Sequence, residues 1–170
     1  SDHPAIIALA KELSMGLDGD EAIAKKCFEY VRDEISHSGD IESDQATYKA
    51  SEVLEHKTGW CYAKSHLLAA LLRANNIPAG LCYQRLSQDD SGAPYSLHGL
   101  NAVYLKAYGW YRVDPRGNKD GVDAQFTPPI ERLAFGIQDE NEGDFERIYV
   151  EPLEEVAKAL QCNVDYKAMT

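Results

Sequence analysis

Between Cys61 and Ala74 the chain carries Ala63, Leu67, Leu68, Ala69, Ala70, Leu71, Leu72 and Ala74, an apolar set that covers nearly the whole circumference of a helix. A helix with so little polar face is buried on most sides, so the rest of the fold must be arranged around it. Asn75-Asn76 ends this helix and Pro78 blocks its continuation. Ahead of it, Gly59 permits a tight chain reversal into Cys61.

The segments before this helix also read as helical. Ile6, Leu9, Ala10 and Leu13 recur at helical spacing. After the break at residues 16–19, Asp20 is expected to cap a second helix with Ile23, Cys27, Val31 and Ile35 on one stripe. Residues 36–49 are polar and irregular, which predicts a loop, and Ser51 is expected to cap a short helix ending near Thr58-Gly59.

Beyond Pro78 the period changes. Strands are expected over residues 80–86, 97–107 and 110–114, with a loop at 89–94, a turn near Tyr108-Gly109 and a loop-rich stretch at 117–129. Residues 145–150 alternate like a final strand, and Pro152 opens a helix carrying Leu153, Val156, Ala157 and Leu160. Helices first and an antiparallel sheet afterwards indicate α+β, in a single domain over residues 1–170.

Charge and cysteine usage narrow the function. The net charge is −11, from 28 acidic and 17 basic side chains, a sign that repels phosphate backbones and anionic lipid. Neither nucleic acid nor a membrane is expected as a partner; the longest apolar patch, residues 67–72, falls far short of the roughly 20 residues a span requires. Cys27, Cys61, Cys82 and Cys162 are widely spaced, with no C-x-x-C pair, so reduced thiols and a cytoplasmic location are expected. No positive-then-apolar leader opens the chain, although it begins Ser1-Asp2 rather than with methionine and is expected to be trimmed.

Cys61 stands where a nucleophile is needed. The start of a helix supplies unpaired N–H groups and a dipole that favour the thiolate, and the Cys61 N–H is placed to help hold an oxyanion. Cys27 reads as core, Cys82 as core or sheet face, and Cys162 as an exposed residue after the last helix. His98 and Asp114 supply the remaining parts: an imidazole to take the thiol proton and a carboxylate to orient that ring. His98 opens one strand and Asp114 closes the next, so an antiparallel hairpin brings them together. Face-to-face pairing requires a hairpin centred near Lys106, whereas a two-residue turn at Tyr108-Gly109 would set Asp114 opposite Val103, about 17 Å from His98. A wider loop or a bulge between Leu105 and Tyr108 is therefore expected.

The other histidines carry less. His66 lies well around the helix from the thiol, His37 and His56 are read as residues near helix ends, and His3 is near the terminus. No short paired-ligand spacing points to zinc. The acidic segments Asp89-Asp90 and residues 139–144 read as solvated loops; Val150 stands where a calcium loop would need its bidentate glutamate. No metal and no cofactor are expected.

The chain resembles the transglutaminase-like superfamily, whose core is a cysteine motif at a helix start followed by histidine and aspartate motifs on consecutive strands. The first is Gly59-Trp60-Cys61-Tyr62-Ala63 running into Ile77-Pro78-Ala79-Gly80, the second is His98 leading into Ala102-Val103-Tyr104-Leu105, and the third is Gly109-Trp110-Tyr111-Arg112-Val113-Asp114-Pro115. The resemblance covers residues 51–116. It implies a papain-like fold, catalytic Cys61, His98 and Asp114, and acyl transfer on peptide or amide bonds through a thioester. Leu100 and Arg116 depart from the tryptophan and threonine frequent in the family. Hydrolysis by a peptidase or amidase is the expected outcome; the alternatives are a protein-glutamine transglutaminase or a non-catalytic binding module of the same fold. The second oxyanion donor is expected to be Gln45 or Tyr48.

Overall fold

A computed structural model of the chain describes residues 2–88 and 92–162. Three helices precede the central one: α1 (Pro4–Ser14), α2 (Asp20–Glu34) and, after the two-residue strand β1 (Ser36–His37), α3 (Ala50–His56). A second short strand, β2 (Thr58–Gly59), leads into α4 (Cys61–Ala74). The sheet follows, as β3 (Ala79–Ser87), β4 (Tyr95–Leu105), β5 (Gly109–Val113) and β6 (Gly143–Asp144), and α5 (Glu154–Cys162) comes last.

α4 spans the predicted residues and is the core of the molecule. Ala63, Leu67, Leu68, Leu71 and Leu72 are at most 1% exposed, and α1, α2 and α3 all pack on it. Asn75 terminates it by turning its side-chain amide back onto the Leu71 carbonyl, 3.2 Å away. Opposite the helices, the antiparallel sheet runs in the order β5-β4-β3-β6. Leu81, Tyr83, Val103 and Leu105 join the helical core, while Cys82, Leu100 and Ala102 form a second cluster with Leu133. Asn101 fastens the two layers, its amide donating to Ser65 O (2.9 Å) and Gly80 O (3.2 Å).

Several local expectations are corrected. Gly19, with φ +88°, occupies the cap of α2 in place of Asp20, whose carboxylate instead accepts the Lys106 N–H at 2.7 Å. Lys49 rather than Ser51 caps α3, and Glu52 Oε2 accepts the N–H groups of Tyr48 and Lys49 at 3.0 Å each. The polar stretch after α2 contains β1, which pairs in parallel with β2 through Ser36↔Thr58 and His37↔Gly59.

Residues 145–150 do not form a regular strand. Asp144 pairs with Gln84, but Leu81 bridges to Tyr149, so the ladder slips by two residues in between. The slipped segment lets Phe145 and Tyr149 both pack on the ring of Tyr83, and Ile148 rests on Gly80. Asp89-Asp90 lie outside the described residues.

The β4–β5 hairpin is wider than a two-residue turn, as expected. Residues 106–108 form the loop, Tyr108 N–H closes on Leu105 O at 3.0 Å, and Gly109 takes φ +81°. The register, Asn101↔Val113 through Leu105↔Gly109, extends to Asp114 opposite Leu100. Asp114 is thus one diagonal step from His98 rather than directly across from it.

Candidate active site

α4 begins without a side-chain cap: Trp60 occupies the cap position in extended conformation and its side chain makes no capping hydrogen bond. The first-turn N–H groups stand at the end of the helix where Cys61 sits. The sulfur meets the sheet at Gly99, whose N–H points at Cys61 Sγ over 3.5 Å. This approach depends on the glycine. A Cβ at position 99 would lie 2.7 Å from Tyr62 Cδ1 and 3.0 Å from Tyr62 Cα, and the latter is backbone that cannot swing aside.

His98 Nε2 lies 2.7 Å from Asp114 Oδ2, which leaves Nδ1 as the nitrogen bonded toward Cys61. Asp114 is fully buried and also accepts the backbone N–H groups of Arg116 (3.1 Å, on Oδ1) and Ala134 (3.1 Å, on Oδ2). Burial alone would raise this carboxyl; His98 and the two N–H groups outweigh it and hold Asp114 below the usual carboxylate range. Burial likewise disfavours a charged His98, but Asp114 on one side and Cys61 on the other raise it above its ordinary value. Phe135 stands edge-on to the imidazole, with centroids 5.0 Å apart, and fixes its plane. The three residues singled out from sequence are thus brought together.

Cys61 and His98 line a cleft of about 780 Å³; Asp114 is buried and does not line it. Trp60, Tyr62 and Phe135 give it aromatic walls, and Ser87, Ser96 and Gln138 give it polar ones. Neither Gln45 nor Tyr48 lines it. The Gln45 amide turns to Ala46 O, and the Tyr48 ring stands edge-on to His66, whose Nδ1 bonds Tyr48 O at 2.9 Å. Leu100 is buried in the second cluster, and the aromatic surface beside His98 comes from Phe135 instead.

His37 lies three residues past the end of α2, but that is not the whole of its setting. It belongs to β1 and lines the cleft, beside an ion cluster in which Arg116 grips Asp40 with both of its terminal nitrogens (2.5 and 2.8 Å) and Lys119 adds a third contact (2.7 Å). No sequence spacing signalled this. Gly99 was legible: a glycine inside a strand directly after the proposed base marks a close backbone approach. Cys27 and Cys82 are buried, which pushes their thiols up to about 12 and about 11, and Cys162 is exposed. Among the described residues no group of three or more His, Cys, Asp or Glu side chains is placed to hold a metal ion, and no helix is long and apolar enough to cross a membrane.

An uncapped central helix set against an antiparallel sheet, with a cysteine at the seam, defines an α+β fold of the transglutaminase-like, papain-like kind. The sequence profile of the Transglutaminase-like superfamily matches residues 7–115, and the chain belongs to that superfamily. A search of curated protein sequences found no match. Among solved structures the chain is similar to a candidate cysteine protease from Cytophaga hutchinsonii, at 17% identity and a TM-score of 0.52, covering 66% of this chain and 37% of that one. It is also similar to a candidate protease from Parabacteroides distasonis, at 13% identity and a TM-score of 0.51, covering 75% of this chain and 29% of that one. At these identities the likeness is one of fold, and the chain spans well under half the length of either protein.

Proposed function

We propose that this protein is a cysteine hydrolase acting on amide bonds of peptides through a thioester, with Cys61 as nucleophile, His98 as acid and base, and Asp114 as the group that orients His98. The observation that carries this reading is the position of His98, held at 2.7 Å by a fully buried carboxylate and bonded on its other nitrogen to a cysteine at an uncapped helix start.

In this scheme Cys61 passes its thiol proton to His98 Nδ1, Sγ attacks the carbonyl carbon, and the carbonyl π pair moves to oxygen. That pair then returns, the C–N bond breaks, and the amine leaves with a proton from His98 Nδ1. A water molecule, deprotonated by the same nitrogen, attacks the thioester; the C–S bond breaks, the acid is released, and His98 returns the proton to the Cys61 sulfur. Asp114 keeps the Nε2 proton in place throughout, so that Nδ1 always faces the sulfur. Water is favoured as acceptor because Ser87, Ser96 and Gln138 make one wall of the cleft polar, and transamidation needs a channel that excludes water.

The test supplies a glutamine-containing peptide together with a labelled primary amine. Free acid appearing faster than labelled amine is incorporated supports hydrolysis; the reverse makes the protein a cross-linking transglutaminase. No turnover with either, together with an inert Cys61, points to a binding module.

A further inference from the structure

β1 is two residues long, yet it delivers a second imidazole to the cleft. His37 pairs with Gly59, two residues ahead of Cys61, and the Ser38 N–H donates to Gly59 O at 3.1 Å. The main chain at position 37 is therefore in register with the approach to the nucleophile. The ring stands edge-on to Trp60, centroids 5.4 Å apart at 83°. Gly39 makes room beneath it, since a Cβ there would lie 3.2 Å from Cε1 and 3.3 Å from Nδ1. The side chain is 9% exposed and shares the cleft lining with Cys61 and His98.

Nδ1 of this ring is buried without a hydrogen-bond partner, an arrangement that costs stability and calls for a role. The carboxylate it faces, Asp40 Oδ2, is 4.0 Å away, too far to bond. Asp40 is moreover held by both Arg116 and Lys119, so the three side chains together present one excess positive charge to the ring. With no hydrogen bond to hold a proton on Nδ1, a neutral ring is free to carry it on Nε2, where an oxyanion in the cleft would draw it. Burial first, and then the Arg116 charge, keep the ring neutral by lowering its pKa to about 3.

We infer that His37 is a further catalytic residue, whose Nε2–H joins the Cys61 N–H in receiving the substrate's acyl oxygen as it becomes an oxyanion. The inference rests on the cysteine acyl-transfer reading. As the Sγ–C bond forms, the carbonyl π pair settles on an oxygen flanked by these two donors, and it returns when the leaving group departs. A neutral donor stabilises that charge without surrendering its proton, so His98 remains the group that moves protons.

Two probes separate this role from a structural one, applied to the wild type, His37→Leu and His37→Gln. p-Nitrophenyl acetate acylates Cys61 through a tetrahedral oxyanion; iodoacetamide alkylates it at a saturated carbon with no oxyanion at all. Loss of one oxyanion donor should slow acylation of His37→Leu by about 10²–10³-fold. Alkylation should keep its wild-type rate, and His37→Gln, which retains an N–H donor, should recover part of the acylation. Wild-type acylation in His37→Leu, or equal slowing of both reactions, would overturn the inference. A wild-type Cys61 that takes neither reagent would instead overturn the cysteine-enzyme reading on which it rests.

Discussion

His98 and Asp114 share a 2.7 Å hydrogen bond although they are not cross-strand partners. The ladder sets Asp114 opposite Leu100, and the bond runs along the diagonal. Asp114 lies one residue beyond the end of β5, where the chain has left the ladder, and the Arg116 and Ala134 N–H groups hold its carboxylate in place.

Replacing Asp114 by Asn should lower kcat by roughly 10⁴-fold if the carboxylate sets the His98 tautomer. The stability change has its own signature. Asp114 is lowered, so its contribution is present above about 3.9 and fades as pH falls; His98 is raised, so its contribution is full below about 6.5 and fades as pH rises. The deficit of the variant in urea midpoint should therefore be greatest between about pH 4 and pH 6.5. A deficit that is flat with pH would deny the ion pair.

Gly99→Ala tests the seam between helix and sheet. The new methyl group collides with Tyr62 backbone, so strand and helix must separate, at a cost of about 1–3 kcal/mol. Thermal unfolding should show that loss, and Cys61 should become slower to alkylate as its contacts with Gly99 and His98 loosen. A variant with wild-type stability and reactivity would show that the close approach is not required.

Thiol labelling near neutral pH should favour Cys61. Cys27 and Cys82 are buried and their thiols stay protonated, while Cys162 is exposed but has no imidazole described beside it. Mass spectrometry after brief iodoacetamide exposure reads the outcome directly. Earlier modification of Cys82 or Cys162 would remove Cys61 from its proposed role.

Lys64 offers a pH test away from the nucleophile. Its Nζ is buried against the carbonyls of Ile35 and Arg32, and burial, with Arg116 second, lowers its pKa to about 7. Unfolded lysine holds its proton to about 10.4, so between these values the unfolded state binds more protons and stability rises with pH. The urea midpoint of the wild type relative to Lys64→Met should climb across that interval. A constant difference would mean that Lys64 stays charged when folded.

How much of this was legible in the sequence follows from what each feature depends on. α4 and the β4–β5 hairpin were readable because periodicity and terminators are local, and Cys61 and Asp114 were readable because each lies at or just past the end of such an element, whereas His98 falls inside β4, which begins earlier than the expected strand. The alternation of residues 145–150 misled, since aromatic packing on Tyr83 shifts the ladder by two residues and no strand pattern encodes that slip. His37 was passed over because its place in the cleft comes from pairing with Gly59 across 22 residues, a contact between two-residue strands that leaves no periodic trace. Nothing in the residue pattern around Gln45 and Tyr48 encodes which way that segment folds, and neither side chain lines the cleft.

Asn101, Gly99 and Cys61 together mean that the proposed nucleophile and its base come from different layers, brought together where α4 docks on β4. A chain that has formed its helices but not its sheet owns a cysteine with neither an imidazole nor a Gly99 N–H beside it. Chemical competence is in this sense latent until the last layer closes. A nascent or partly unfolded molecule would not be expected to cleave itself or its neighbours, and recovery of activity during refolding should lag behind recovery of helical signal.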